Sequence, residues 1–494
     1  MDEVHSKPLA IGNWNCSQCH GTAVDWGYLA HCAKGAVRQS LIYLLLLGTL
    51  LRFFTAPDPF LHEWDERYHA LVAKNMVEQP WRPTLYADPI LPYDYRDWSQ
   101  NHVWLHKQPV PLWTMALAIK WGGANEWPVR LPSLLLSRLA VLFTFGIGRQ
   151  LFCPRIGLLA AFFHAIHGLC LEIGSGRVAT DHIDLHFMVW IELAVLLAIY
   201  QARQRRYWSL IGMTVCVGLA ILSKWLPTLI VLPLWGLLRW EREGGLRASL
   251  LLDAALVVGL LLLIIVPWQW YIHTYFPQEA AWERAYDLRH IFEPLQGQGG
   301  PFYYHFNQIR IVYGELVYLV LGAVAWRCWW RPQVRYGVLA LWIVVPLLFF
   351  SAVQTKMQGY LLFTAPAFFL LTAWMIYGLS RLRSTAARPY LWSLLIACLY
   401  LLPLRYSVER VKPFRPAVAP EWVVPLKDFT ARLNDTERHV LFGEPHPIEA
   451  MFYGSSLTAY PQAGDPPLVR RLREAGYRVW MRQELEGRVV YTAW

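Results

Sequence analysis

Charge is scarce in this chain. Of 494 residues only 16% are Asp, Glu, Lys or Arg, whereas 55% are hydrophobic. That balance excludes a water-facing shell around an ordinary soluble core and predicts long apolar segments instead. Cysteine is sparse too, with eight in all. Five lie in or beside apolar runs and read as packing residues, so no disulfide framework is predicted. No early stretch has the form of a cleaved signal peptide, because about 37 largely polar residues precede the first apolar run.

What is present is a series of apolar runs near the roughly 20-residue length needed to cross the hydrocarbon layer. Eleven are expected, at about 38–56, 130–151, 155–173, 184–201, 207–223, 225–240, 249–272, 306–327, 335–352, 359–380 and 388–405. The expected fold is a polytopic α-helical membrane protein. Residues 1–37 form a cytoplasmic tail in this reading, 38–405 a transmembrane domain, and 406–494, where strand-like and amphipathic pieces alternate, a small extracytoplasmic α/β domain. Two large external loops are expected, 57–129 and 273–305.

Orientation follows from the basic loops. With the N-terminus inside, the loops "GRQLFCPR", "QARQRRYW", "RWEREGGLR", "WRCWWRPQVR" and "SRLRSTAARP" all fall on one side, which is therefore cytoplasmic. The net charge of +10 is accounted for by this asymmetry and does not call for nucleic acid. The expected location is the inner (plasma) membrane, with the functional face outside.

That outer face collects charges at span ends: Asp65 and Glu66 in "LHEWDERYHALVAKNM", Asp181, His182 and Asp184, Lys224, and Lys356. Each has an ordinary explanation. Asp65 and Glu66 suit the first turn of a helix, Asp181 suits an N-cap, and a lone lysine can snorkel to the interface. Their coincidence at one membrane level, from segments more than a hundred residues apart, points instead to a site. An acid can take a proton from an acceptor hydroxyl while fixed cations stabilise the charge developing on a departing phosphate.

The segments "WDERYHALVAKNM", "LHKQPVPLWTMALAIKWGGANEWPVRLPSLL", "GRVATDHIDLHFMVW", "ILSKWLPTLIVLPLWGLL", "IIVPWQWYIH", "GGPFYYHF" and "FFSAVQTKMQGYLLFTAPAFFLL" occur in order over about residues 38–405. Together they resemble the C-type glycosyltransferases that include lipid A aminoarabinose transferases and protein O-mannosyltransferases. The resemblance implies an inverting transferase that takes a sugar from a polyprenyl-phosphate donor in the bilayer to an extracytoplasmic acceptor: lipid A, another glycolipid, a glycan or a protein hydroxyl. It implies Asp65 as catalytic base with Glu66 beside it, Lys107, Lys224, Lys356 and Arg67 as ligands of the donor phosphate, and Tyr68, Asp181 and Tyr360 as substrate-binding residues. The chain departs from the family pattern where His106 stands for a Glu, where Gln108 is inserted before Pro109, and where Trp225 replaces a Gly after the lysine.

A divalent metal is a candidate cofactor, with His106, His182, His186 and His305 as candidate ligands; His182 and His186 have the i, i+4 spacing of one helical face. "CSQCH" (Cys16 to His20) fits a haem-attachment or zinc-knuckle pattern as well as an unstructured tail. The alternative to an enzyme is a polytopic secondary transporter of an anionic substrate, for which charges among many spans are also expected. A large hydrophilic first loop headed by acids, without an inverted repeat, favours the transferase.

Overall fold

The computed structural model describes residues 26–178, 182–383, 388–412 and 417–494. Cys16, Cys19, His20 and Asp181 lie outside the described residues.

Helices dominate. In chain order they are α1 (Trp26–Thr55), α2 (Asp65–Met76), α3 (Pro109–Gly122), α4 (Glu126–Leu151), α5 (Pro154–Ile166), α6 (Gly168–Gly174), α7 (His182–Gln204) and α8 (Tyr207–Lys224), then α9 (Val231–Glu243), α10 (Ala248–Tyr275), α11 (Pro277–Phe292), α12 (Tyr304–Tyr313), α13 (Val317–Trp330), α14 (Val334–Ala352), α15 (Ala365–Arg383) and α16 (Pro389–Val411). A C-terminal unit follows: α17 (Val423–Thr430), β1 (Arg438–Phe442), α18 (Pro447–Tyr453), β2 (Leu457–Tyr460), α19 (Pro466–Glu474), β3 (Tyr477–Leu485) and β4 (Arg488–Ala493).

Among the described residues eight helices are long and apolar enough to cross a membrane, or up to ten if two bent pairs each count as one span. The run expected at 225–240 is not among these as one continuous α-helix. There Pro227 stands in the first turn, residues Leu226–Ile230 wind as a 3₁₀ turn, and α9 adds only 13 residues. A proline cannot donate to the preceding turn, so α8 cannot run on into α9. The run at 306–327 is also not one straight helix: α12 and α13 meet at 108°, next to Gly314 with φ +88°. A Cβ at Gly314 would press on Leu402 and Pro403. The last span overshoots the expected 405 and continues to Val411.

Lipid contributes no hydrophobic drive between helices, so close packing must hold them. At the α4–α5 crossing, a Cβ on Gly148 would come within 2.7 Å of the Gly157 Cα, which only two glycines allow.

The C-terminal sheet has the order β2-β1-β3-β4, with β1 parallel to both β2 and β3 and β4 antiparallel to β3. Its apolar face does not form a separate core. Leu426, Phe442, Phe452 and Ala459 pack in one cluster with Leu71, Met76, Leu85, Trp104 and Leu112 of the first external loop and the helices beside it. The sheet therefore roofs α2, the helix that carries the acidic motif.

Candidate functional site

Four consecutive residues open α2, and at about 100° per residue a helix sends them in four directions. The preceding Trp64 sits at φ +68°, ψ −125°, a conformation rarely taken by an L residue, and this sharp entry sets the helix direction. Glu66 points inward and is buried. Its carboxylate accepts from Arg130 Nε at 2.7 Å and meets His62 Nδ1 at 2.6 Å and His182 Nε2 at 3.3 Å. Burial would raise its pKa, but the Arg130 guanidinium and His62 outweigh that and hold it well below the usual carboxylate range. Arg130 is itself fully buried and also donates to the carbonyls of Ala56, Asp58 and Phe60. Close packing against Glu66 requires a glycine at Gly176, where φ is +75° and a Cβ would lie 2.4 Å from the carboxylate.

Arg67 points the other way, to Glu449 of α18 at 3.1 Å. Tyr68 is buried, parallel to Trp104 at 6.4 Å and edge-on to Trp98 at 5.0 Å. Among these four, Asp65 is the one that meets a lysine. Its side chain remains 19% exposed, and Lys107 Nζ stands 3.9 Å from its Oδ1.

Around this pair several elements converge. His106 Nδ1 lies 3.0 Å from Glu283 Oε2 of α11, and its ring stacks on Trp98 at 4.7 Å and 10°. Lys224, the last residue of α8, pairs with Asp184 of α7 and stands over the Tyr360 ring at 5.2 Å. Asp287 of α11 lies near His106 and Lys107; loss of solvation pushes its carboxyl up to about 6, while His106 and Lys107 oppose the shift. His290, one turn on, is pulled down by burial and by the charges of His106, Lys107 and Lys224. Lys107 and Lys224, 117 positions apart in the chain, thus act on one imidazole.

Trp225 stands where the family pattern has glycine, and it adopts φ +80°, ψ −158°, a region that is otherwise essentially glycine's. The local backbone keeps the glycine geometry without the glycine.

The remaining expected site residues are directed elsewhere. Lys356 is buried, and its ammonium donates to the carbonyls of Phe350 (3.2 Å), Ser351 (2.6 Å) and Val353, capping the end of α14. Glu66, Arg67 and Tyr68 brace the helix, for the reasons given above. The four candidate metal ligands do not gather. His106 meets Glu283, His182 meets Glu66, His186 meets Thr114 Oγ1 at 3.0 Å, and His305 is buried against Tyr304 and Phe350. Among the described residues no group of three or more His, Cys, Asp or Glu side chains is placed to hold a metal ion, so the donors present do not fit one.

Sequence reasoning missed Arg130, His62, Glu283, Asp287 and Glu449. Arg130 carried a signal, as a lone arginine at the head of the apolar run "VRLPSLLL". Glu283 and Asp287 carried only their i, i+4 spacing, which any surface helix displays.

Residues 106–271 match the family of dolichyl-phosphate-mannose-protein mannosyltransferases. The chain is 27% identical over 347 residues to an undecaprenyl phosphate-alpha-4-amino-4-deoxy-L-arabinose arabinosyl transferase of Pseudomonas paraeruginosa (strain DSM 24068 / PA7), and 28% identical over 349 residues to that of Pseudomonas aeruginosa (strain LESB58). Each match takes in 64% of this chain and 60% of the relative, so the chain spans less than two thirds of those proteins. Its fold superposes on ArnT from Cupriavidus metallidurans bound to undecaprenyl phosphate with a TM-score of 0.58, over 91% of this chain and 93% of that one at 15% identity. The archaeal oligosaccharyltransferase AglB from Archaeoglobus fulgidus, in complex with an inhibitory peptide and a dolichol-phosphate, also gives 0.58, over 91% of this chain and 70% of that one at 13% identity. The chain is a multi-pass helical protein with the fold of the C-type membrane glycosyltransferases, and it resembles the aminoarabinose transferases in sequence.

Proposed function

We propose that this protein is an inverting glycosyltransferase that moves a sugar from a polyprenyl-phosphate donor to an acceptor on the outer face of the inner membrane. The observation that supports this reading is that Lys107 stands 3.9 Å from Asp65, and that Lys107 and Lys224 both lie near enough to His290 to act on its charge.

The chemistry follows from that layout. Asp65 takes the proton of an acceptor hydroxyl; the freed oxygen attacks the anomeric carbon, and the carbon–oxygen bond to the phosphate breaks with its electron pair going to the phosphate. Lys107 and Lys224 stabilise the charge that develops there, the lysine of α8 exchanging Asp184 for the phosphate when donor binds. Glu66 acts through position: held by Arg130, it fixes the first turn of α2 and so the Asp65 carboxylate. Arg67 and Lys356 are directed to Glu449 and to the end of α14, so in this reading Lys107 and Lys224, which act on the same imidazole, are the ligands of the donor phosphate. The acceptor belongs to the class of lipid A, other glycolipids, glycans or protein hydroxyls.

The test is Asp65→Asn in the purified full chain, measured by release of polyprenyl phosphate from a panel of polyprenyl-phosphate sugars in the presence of envelope extract. Loss of about 100-fold or more in rate with an unchanged unfolding temperature is expected, because Asn keeps the shape and cannot take a proton. Turnover near the parent rate would overturn the base assignment.

A further inference from the structure

In an open α/β sheet, ligands bind outside the carboxyl ends of the strands at the point where successive connections leave to opposite sides. Here the chain passes from β1 through α18 to β2 on one side, then through α19 to β3 on the other, so that point falls between β1 and β3.

The residues at that crevice are unusual for a loop. Glu444 follows β1 and is buried; its Oε2 accepts from the Tyr491 hydroxyl at 2.9 Å, and its Oε1 accepts from the His446 backbone N–H at 2.9 Å. Trp422 stacks on the His446 ring at 4.5 Å and 22°. Glu449, in the first turn of α18, has a fully buried side chain. Its Oε1 accepts from Arg67 Nη1 at 3.1 Å and lies 4.0 Å from His446 Nδ1, while its Oε2, like Arg67 Nε, has no hydrogen-bond partner among the described residues. A buried carboxylate oxygen left without a donor is rare and calls for a missing partner.

We infer that this crevice, between the carboxyl end of β1 and α2, is a binding site for an uncharged saccharide, whose hydroxyls donate to Glu449 and His446 and whose ring lies on Trp422. Glu449 is matched by Arg67 at 3.1 Å and Glu444 by Arg482 at 3.9 Å, so the crevice carries no surplus positive charge to hold a phosphate or another anion. A flat indole beside fixed acceptors suits a ring with one apolar face and hydroxyls along its edge. The inference rests on the transferase reading and narrows its acceptor to a glycan or the sugar headgroup of a glycolipid: Arg67, which lines the crevice, belongs to α2, the helix that also carries Asp65, so a saccharide held here is anchored to the helix of the base.

The experiment is saturation-transfer NMR on the full chain in lipid nanodiscs, with N,N′-diacetylchitobiose as probe and a serine tripeptide as comparison. Chitobiose should saturate the parent and the Asp65→Asn variant alike, and Trp422→Ala and Glu449→Gln should each weaken binding about tenfold or more, a difference of about 1.4 kcal/mol. Trp422→Phe, which keeps an aromatic ring on His446, serves if either variant fails to fold, with a smaller loss of affinity expected. No saturation of the parent, saturation insensitive to all three changes, or a Trp422-dependent signal from the serine tripeptide in place of the sugar would overturn the inference. Chitobiose binding that depends on Trp422 in a chain whose Asp65→Asn variant still transfers would leave the crevice standing and remove the base.

Discussion

Asp65 and Glu66 are adjacent acids with opposite circumstances. The first is partly exposed beside one lysine, while the second is buried against Arg130, His62 and His182. Removing one partner of a buried pair is far more damaging than deleting a surface charge, because the other charge is left without compensation. Glu66→Gln is therefore expected to destabilise the fold by about 3 kcal/mol, a direction and scale taken from buried pairs generally. Thermal unfolding in detergent should show a clear drop for Glu66→Gln and none for Asp65→Asn. Equal stability of the two variants would mean that Glu66 is not the anchor of α2.

At the scale of elements, the C-terminal unit is tied to α2 by Lys74 as well as by Arg67. The Lys74 ammonium donates to the carbonyls of Met451 (2.7 Å), Phe452 (3.0 Å) and Gly454 (2.7 Å), which are the free acceptors at the end of α18. Burial pulls its pKa down to about 8, against the opposing charge of Asp435. Lys74→Met keeps the length of the side chain and removes every donor. It should cost about 2 kcal/mol, the range for hydrogen bonds to a charged group, and loosen the sheet from the first loop. Hydrogen exchange of α18 and β2 would report this as faster exchange there than in α4, and uniform protection would argue against the tie.

For the whole molecule, His62 joins the end of the first span to α2. It lies 3.2 Å from Asp58 and 2.6 Å from Glu66, with Arg130 Nη2 at 3.2 Å, and Asp58 is in turn held by Arg177 through two bonds. Burial lowers the His62 pKa, but the Glu66 and Asp58 carboxylates outweigh it and leave it raised above the usual 6.5. A raised histidine contributes its stability in full below about 6.5 and loses it as pH rises through the folded value. The unfolding temperature should therefore fall as pH climbs from 6 towards 8.5, and His62→Gln should flatten that slope. A profile that rises over this range would give the charge of His62 the wrong sign. Orientation is tested at the same scale: a cysteine placed at Ser99 should react with an impermeant maleimide in spheroplasts and one placed at Gln204 should not, because the arginine-rich connections face the cytoplasm. The reverse pattern would put Asp65 on the wrong side of the membrane.

The apolar runs, the Arg-rich loops and the order of the motifs were determined by the sequence alone, because hydropathy and charge asymmetry act over local stretches that a chain cannot hide. Asp65 and Lys224 were legible as site candidates for the same reason, since a charge at a span end is conspicuous against apolar neighbours, whereas Lys107 was implied only by the family resemblance of its segment. Which way each side chain turns was not legible. Helical twist separates Asp65 from Glu66, Arg67 and Tyr68 although all four belong to one motif, and only the packing of Arg130, Glu449 and Trp104 decides what each of them meets. The same holds for Lys356, whose ammonium meets the carbonyls at the end of α14 because the chain turns back there. The break of the sixth expected span at Leu226–Ile230, the 108° bend at Gly314 and the sharing of one core by the first loop and the C-terminal sheet depend on backbone conformation and on contacts between distant segments. Tertiary structure decided these, since a period in the sequence fixes which face of an element is apolar and leaves open what covers it.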